Sequence, residues 1–443
     1  MLFARILSVK KIFLFLALVV FSQLSVQAIE KSQVDAIFRA KCMDCHSNET
    51  VLPWYAELPI AKQLIANDIN KGRAFFDLAK EFFAYEDLES LPRHVVKRLE
   101  HEIKTDSMPP MLYRLGHMDR IVSQDEKKLI LDFLAGVDID DDGIFEALPK
   151  KESIMLDQAK VDLGNKLYHD KRLSGDNTLS CASCHDLGKG GTDQSVTSLG
   201  INGHIGPINS PTTLNAVYNI RQFWDGRAKD LEEQAHGPVH NPGEMGSNWQ
   251  EVIAKLEKDD DLMAQFKNVF GTTEITGDMI ANSIAEFEKS LITPNSRFDR
   301  YLNGDEDALL DDEKHGMQLF KQNCTSCHYG PALGGKAFKK MGVVNDYFAD
   351  RAAGRNGMKK LAISDVDAGL YNFSKKETEK NHFKVPVLRN IELTFPYFHD
   401  GSINSLEKAV EYMSFYQNGI KISNEDRDAI VAFLKTLTDE DLR

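Results

Sequence analysis

Apolar residues recur along this chain every three or four positions, the period of a helix with one buried face. Two stretches show it with a start signal. Ser123-Gln-Asp-Glu126 opens IVSQDEKKLILDFLAG, and Ser423-Asn-Glu-Asp426 opens ISNEDRDAIVAFLKTL. Each has a serine followed three positions on by an acidic residue, a pairing that satisfies unbonded N–H groups at a helix start. MIANSIAEFEKSL, from Met279 to Leu291, has the same apolar spacing without that cap. Shorter helical patterns carry Gly164-x-x-Leu-Tyr168, Gly316-x-x-Leu-Phe320 and Ile37-Phe38. Strand-like alternation is scarce. The pattern predicts a mainly α fold, built of small helical units with long polar loops between them.

The N-terminus carries a different hydrophobic signal. Arg5, Lys10 and Lys11 precede an unbroken apolar run from Ile12 to Phe21, and Val26-Gln-Ala28 fits a small-residue cleavage site. That run matches an export signal better than the ~20 residues a spanning helix needs. Extending it through Leu24 and Val26 leaves a retained membrane anchor open. Residues 1–28 are therefore expected to be a signal peptide or an anchor, and the chain to be exported. No second candidate span follows.

Composition adds mainly exclusions. The 443 residues are 42% hydrophobic and 27% charged, ordinary for a globular protein of two to four domains. The formal charge of −14, with no basic stripe interleaved with aromatics, argues against nucleic acid as a partner. Loss of the first 28 residues would remove three positive charges and make the chain more acidic still.

All six cysteines form three C-x-x-C pairs, Cys42/Cys45, Cys181/Cys184 and Cys324/Cys327, each followed at once by a histidine: His46, His185 and His328. Zinc ribbons place their pairs ~15–20 residues apart, whereas these lie 139 and 143 apart. Thiol–disulfide enzymes have no role for a histidine after every pair. In an exported chain that keeps no cysteine for disulfides, C-x-x-C-His is the signature of covalent haem c: two thioethers hold the haem and the histidine ligates its iron. Three cytochrome c-type haem domains in tandem are expected. The boundaries are 29–145 for an N-terminal mono-haem domain, 150–300 for a second and 301–443 for a third. The acidic run Asp138–Asp142 with Leu148-Pro149 reads as one linker, and Thr293-Pro-Asn-Ser296 through Asn303-Gly-Asp305 as the next joint.

Sixth ligands are harder to read. Met413 lies on a predicted helix well after His328, although lone methionines more often fill cores. Met108, in the stiff segment Ser107-Met-Pro-Pro110, is the first unit's candidate, with His101, Met111, His117 and Met118 as rivals. A His/Met pair raises a haem's potential and suits it to passing electrons.

From Leu156 to Leu437 the sequence resembles the bacterial di-haem cytochrome c peroxidases. INSPTTLNA, QFWDGRAKDLEEQA, NPGEMG, VPVLRN, FPYFHDG and LEKAVEYM occur in that family's order. The resemblance implies a periplasmic enzyme that reduces hydrogen peroxide to water, with a peroxidatic haem in the second unit fed by a high-potential electron-transfer haem in the third. It places the proximal ligand at His185, the distal glutamine and glutamate at Gln234 and Glu244, the inter-haem tryptophan at Trp224, and the electron-transfer ligands at His328 and Met413. It also implies a calcium ion held by the Asn209 side chain and the carbonyls of Thr394 and Pro396, and members that are often dimers. Many members carry a distal histidine eight residues before the asparagine of NSP; here that position is Ile201, and the nearest histidine is His204. Either His204 closes the second iron in the oxidised protein, or the site is already open.

CMDCHSNETVLPWYAELP, with DINKGRAFFDL and MPPMLYRLGH, resembles the extra haem-binding domain of tri-haem, quinol-oxidising members, in which Met108 would be the sixth ligand. A quinol, or a small c-type cytochrome, is then the expected electron donor. Two other readings remain open from the residues. One is a non-catalytic multihaem carrier. The other is a di-haem oxidase that matures a protein-derived cofactor, against which Met413 counts, since those enzymes use tyrosine there.

Overall fold

The computed structural model describes residues 30–47, 54–58, 77–86, 93–105, 117–135 and 144–443, together with Lys62, Ile65, Ala66, Ile69 and Leu91. The N-terminal apolar run, Met108, Met111 and the run Asp138–Asp142 lie outside these residues. Among the described residues the only sheet is a two-stranded ribbon, and the rest of the regular structure is helical.

Three helical units follow one another. The first contains α1 (Lys31–Lys41), α2 (Arg93–Thr105) and α3 (Gln124–Leu134). Val34 and Phe38 of α1 meet Val95 and Val96 of α2 and Ile130 and Phe133 of α3 in one core. The start of α3 is the expected one. Ser123 accepts the Glu126 N–H, and the Glu126 carboxylate accepts the Ser123 N–H.

The second unit contains α4 (Gln158–Tyr168), α5 (Leu231–His240), α6 (Trp249–Leu256), α7 (Asp260–Phe270) and α8 (Gly277–Ser290). Helices α4 and α8 cross so closely that a Cβ on Gly164 would stand 1.9 Å from the Ser283 carbonyl oxygen. Helix α8 is capped after all: Thr276, just outside the apolar pattern, accepts the Met279 N–H at 3.2 Å.

The third unit repeats that crossing. Its helices are α9 (Asp311–Asn323), α10 (Leu406–Asn418) and α11 (Asn424–Lys435), and a Cβ on Gly316 would lie 1.9 Å from the Ala429 carbonyl oxygen. The ribbon, β1 (Phe338–Lys340) against β2 (His382–Lys384), pairs Phe338 with Lys384 and Lys340 with His382.

The joints differ from their linker-like composition. Ile144 and Phe145, expected to close the first domain, lie in the third unit's core beside Phe298, Phe320 and Phe433. The second joint is buried: Thr293, Ser296 and Asp299 are at most 5% exposed, and the helix Arg297–Leu302 runs across the expected 300/301 boundary. Their polar side chains bond backbone groups and other buried side chains. Arg389, wholly buried, ties these pieces together through Asp299 at 2.8 Å, Ser296 at 3.0 Å, and the carbonyls of Pro331 and Glu146 at 3.0 and 3.1 Å. The first unit rests on the third: α2 packs against α9, and Glu81 pairs with Lys339 of β1 at 3.5 Å.

Candidate active site

Each C-x-x-C-His motif forms a tight turn that folds the histidine back over its first cysteine. The His46 N–H donates to Cys42 O at 3.1 Å, His185 to Cys181 O at 3.0 Å and His328 to Cys324 O at 2.9 Å. The described residues include all six cysteines, and none is in a disulfide. His185 is half-buried, and the burial of its ring holds its pKa below the ordinary value; its Nδ1 lies 3.3 Å from the Gly191 carbonyl oxygen. A neutral ring with N–H on Nδ1 leaves the Nε2 lone pair for a metal. Tyr168, last residue of α4, donates its hydroxyl to the His185 carbonyl at 2.7 Å and so fixes the turn. His328 has the same arrangement, with Nδ1 3.1 Å from Leu333 O and a pKa lowered by burial to about 4.

The second unit places Glu244 within electrostatic reach of its haem-attachment turn, and Gln234 lies on the helix before the Glu244 loop. Gln234 is half-buried on α5, whose start is fixed by Asp230 accepting the Glu233 N–H at 2.8 Å. Glu244 is half-buried on the loop after α5, and Asn241 Nδ2 donates to its Oε1 at 2.8 Å. Burial raises the pKa of Glu244 above the usual carboxylate range, against the opposing pull of Arg227 and the Asn241 hydrogen bond. Its charge reaches the Cys184 thiol, already raised by burial. A short turn packs on the Glu244 loop: Ile201 N–H donates to Glu244 O at 2.9 Å, and a Cβ on Gly200 would lie 1.9 Å from Gly243 O. His204 belongs to that turn. It is exposed, with its ring against Gly243, one residue from Glu244.

In the third unit a cavity of about 480 Å³ is lined by Cys324, Cys327, His328 and Met413. Met413 stands on α10, between the Ser405 cap and Gly419, whose φ of 72° ends the helix. A soft thioether and an imidazole on one apolar cavity beside two thiols are a donor set suited to a covalently bound haem. Trp224 lines the same cavity from the second unit, its indole N–H on Asn209 O at 2.9 Å and its ring 6.4 Å from that of His399. Asn209, Thr394 and Pro396 also line it. Asn209 Nδ2 donates to Ser195 O at 2.9 Å and Val196 O at 3.3 Å, which turns its Oδ1 the other way. Among the described residues no cluster of three His, Cys, Asp or Glu side chains could hold a metal ion, so a cation here would rest on amide and carbonyl oxygens.

Of the first unit's candidates, His46 is in place after Cys45, Met118 is 76% exposed, and Met108 lies outside the described residues. Sequence reasoning missed Tyr168, Asn241 and Arg227 as supports of the site. Tyr168 ends the Gly-x-x-Leu-Tyr pattern and could have been suspected. Asn241 opens NPGEMG and Arg227 lies in QFWDGRAKDLEEQA, phrases that carry the resemblance without singling out these two side chains.

Three haem-binding motifs on helical units, one of them sharing a cavity with a methionine, define a multi-haem c-type protein. Family models agree. "Di-haem cytochrome c peroxidase" matches residues 158–307, "Haem-binding domain" 19–136 and "Cytochrome c" 313–438. Among relatives, the chain is 42% identical over 421 residues to the cytochrome c peroxidase Ccp of Escherichia coli K12, covering 92% of this chain and 88% of that one. It is 47% identical over 282 residues to the cytochrome c551 peroxidase of Nitrosomonas europaea, covering 63% and 79%. A solved MauG-like protein associated with microbial copper homeostasis superposes with a TM-score of 0.58 at 29% identity, covering 67% of this chain and 95% of that one. The chain belongs to the di-haem cytochrome c peroxidase family and carries an additional N-terminal haem-binding domain. No helix among the described residues is long and apolar enough to cross a membrane.

Proposed function

We propose that the protein reduces hydrogen peroxide to water in its second unit, with electrons relayed from the first unit through the third. Haem c would be held at Cys42/Cys45, Cys181/Cys184 and Cys324/Cys327, with His46 and Met108, His185, and His328 and Met413 as iron ligands. Bound there, haem supplies the iron chemistry that breaks the O–O bond and stores electrons. The observation that carries the reading is Glu244: a half-buried carboxyl of raised pKa, aimed by Asn241, in the unit whose cysteine turn bears His185.

The chain's own part is proton movement and positioning. The Glu244 carboxylate takes the proton from one peroxide oxygen and returns it to the other, so that the departing oxygen leaves as water. Gln234 would hold the peroxide by a hydrogen bond from its side-chain amide. Two electrons and two protons are consumed per peroxide, and two waters form. The exposure of His204 supports the reading in which the oxidised second site is open to peroxide rather than closed by that histidine. Trp224, on the wall of the cavity that holds His328 and Met413, would pass electrons from there to that site, and a calcium ion on Asn209, Thr394 and Pro396 would brace this junction.

The packing of α2 on α9, and Lys339 on the cavity wall paired with Glu81, support entry of electrons at the first unit and passage to the third. A quinol suits that route in a periplasmic protein whose N-terminal hydrophobic segment stays in the inner membrane. A small c-type cytochrome would reach the third unit directly.

Purified, haem-loaded protein is mixed anaerobically with peroxide and either a reduced quinol or a reduced small cytochrome. Turnover with quinol and little with cytochrome supports the full relay; the reverse outcome moves the entry port to the third unit. Glu244→Gln should lower turnover about 10²–10⁴-fold with all three haems retained. Unchanged turnover would remove Glu244 from the reaction. In the unmodified protein, activity should fall on the acid side at a pH above the ordinary carboxylate range, because protonated Glu244 cannot accept.

A further inference from the structure

Lys384 ends β2 and is 5% exposed, yet among the described residues no hydrogen bond or ion pair reaches its ammonium. Its side chain lines the cavity shared by Cys324, Cys327, His328 and Met413. Its backbone N–H donates to Trp224 O at 2.9 Å. Two other lysines reach the same wall, but Lys339 is paired with Glu81 at 3.5 Å and Lys421 is exposed to solvent.

An ammonium buried without an anion is costly, and chains keep such groups where an anion arrives to meet them. Burial lowers the Lys384 pKa only to about 8, so the group is still largely charged at neutral pH. A haem carries two propionates and no other anionic substituent. We propose that Lys384 is a positioning residue whose ammonium pairs with a haem propionate in this cavity and, through its main-chain bond to Trp224, fixes that edge of the haem against the second unit. The inference rests on haem attachment at Cys324 and Cys327, part of the function proposed above. Its electrostatic consequence has a definite sign. A paired propionate presents little net charge to the iron, whereas an unpaired one favours the oxidised state and lowers the potential.

The test uses the full, haem-loaded chain with K384Q and K384R. Haem per chain is first counted from the pyridine haemochrome, and loss of the third haem from unmodified protein would overturn the reading on which this one rests. Optical potentiometry then follows the His328 haem. K384Q should make its reduction about tenfold less favourable, about 59 mV lower, while K384R stays near the unmodified value. A D2O-sensitive propionate bending band should appear in the resonance Raman spectrum of the unmodified protein and be lost in K384Q. An unchanged potential in K384Q, or an equal fall in both variants, overturns the proposal. Should K384Q fail to accumulate, a propionate band insensitive to D2O in the unmodified protein overturns it alone.

Discussion

The second and third units are built alike on one side and differently on the other. Both cross two helices at a glycine, Gly164 under Ser283 and Gly316 under Ala429. Both half-bury a histidine behind C-x-x-C and hold its Nδ1 on a backbone carbonyl, Gly191 or Leu333. Beyond the attachment turn they part. The third unit offers Met413 from the middle of a capped helix, on the cavity that His328 lines; as an iron ligand it would leave that haem only electron transfer. The second offers Gln234 on a helix and Glu244 on the loop after it, groups that in the function proposed here would move protons. On that proposal the attachment half of each unit holds haem, and the other half decides what it does.

The largest test of this contrast changes that other half in the third unit. Met413→His should keep all three haems and lower the potential of the electron-transfer haem by on the order of 0.1 V or more, since axial ligands set most of a haem's potential. Reduction of the second unit, and peroxide turnover, should fall with it. Potentiometry and stopped-flow reduction check this together. A turnover that survives the lower potential would mean that electrons reach His185 without passing the third unit.

A subtler contrast lies at the helix crossings. Counting five residues on from Ser283 and from Ala429 reaches Glu288 and Leu434. Leu434 lines the haem cavity of the third unit. Glu288, 4% exposed, puts a carboxylic acid at the matching place, and among the described residues its Oε2 has no hydrogen-bond partner. Tyr168 and the Cys181 thiol are the titratable groups within its electrostatic reach, and the pKa of each is raised first by burial and then by Glu288. Burial raises Glu288 itself from the ordinary 4.5 to about 8. The folded protein therefore keeps a proton that the unfolded chain releases above pH 4.5, and stability is lost as pH rises from there towards 8, by at most about 5 kcal/mol. In Glu288→Gln that slope should be missing, so the variant gains on the unmodified protein between pH 5 and 8. Guanidinium unfolding of the haem-loaded proteins at both pH values measures it, and parallel curves would show that Glu288 is ionised in the fold.

These differences explain what could be read from residues alone. The C-x-x-C-His motifs and the Ser123 and Ser423 caps are legible because their chemistry is complete within six residues. The Thr276 cap lies just beyond the apolar pattern that drew attention to α8, and so escaped. Gln234 and Glu244 are ordinary surface types in isolation. Only the family-like phrases around them single them out. Asn241 with Glu244 is a local pair and Arg227 acts on Glu244 only through its charge, but Lys384 with the His328 cavity and Glu288 with Cys181 meet across long stretches of chain, where periodicity carries no information. Ile144 and Phe145 mislead for a related reason: they follow a linker-like acidic run, yet their rings and branches fill a core formed by residues 298–433.

The smallest expected effects concern the crossings themselves. Gly316 stands eight residues before Cys324. The residue eight before Cys42 is Val34, fully buried in the first unit's core against α2 and α3. The third unit thus brings two helix backbones together at this place, and the first fills it with a side chain. A methyl group on Gly316 or Gly164 would meet a carbonyl oxygen of the partner helix, which cannot swing aside as a side-chain tip could. Helices would have to separate, so Gly316→Ala and Gly164→Ala should each cost about 1–3 kcal/mol. Val34→Ala should cost about 1–2 kcal/mol by the opposite cause, two methyl groups removed from a filled core. Denaturation midpoints of the three haem-loaded variants check the magnitudes, and haem spectra separate the causes. Spreading a crossing should disturb the iron environment of its own unit, because the C-x-x-C turn follows directly from α9 and lies against α4 through Tyr168. Thinning the first unit's core should leave the spectra of the other two haems unchanged. A Gly316→Ala protein with an unmoved midpoint and an unmoved third-haem spectrum would show that the crossing tolerates a side chain, and that the glycine is not what sets the distance between the helices.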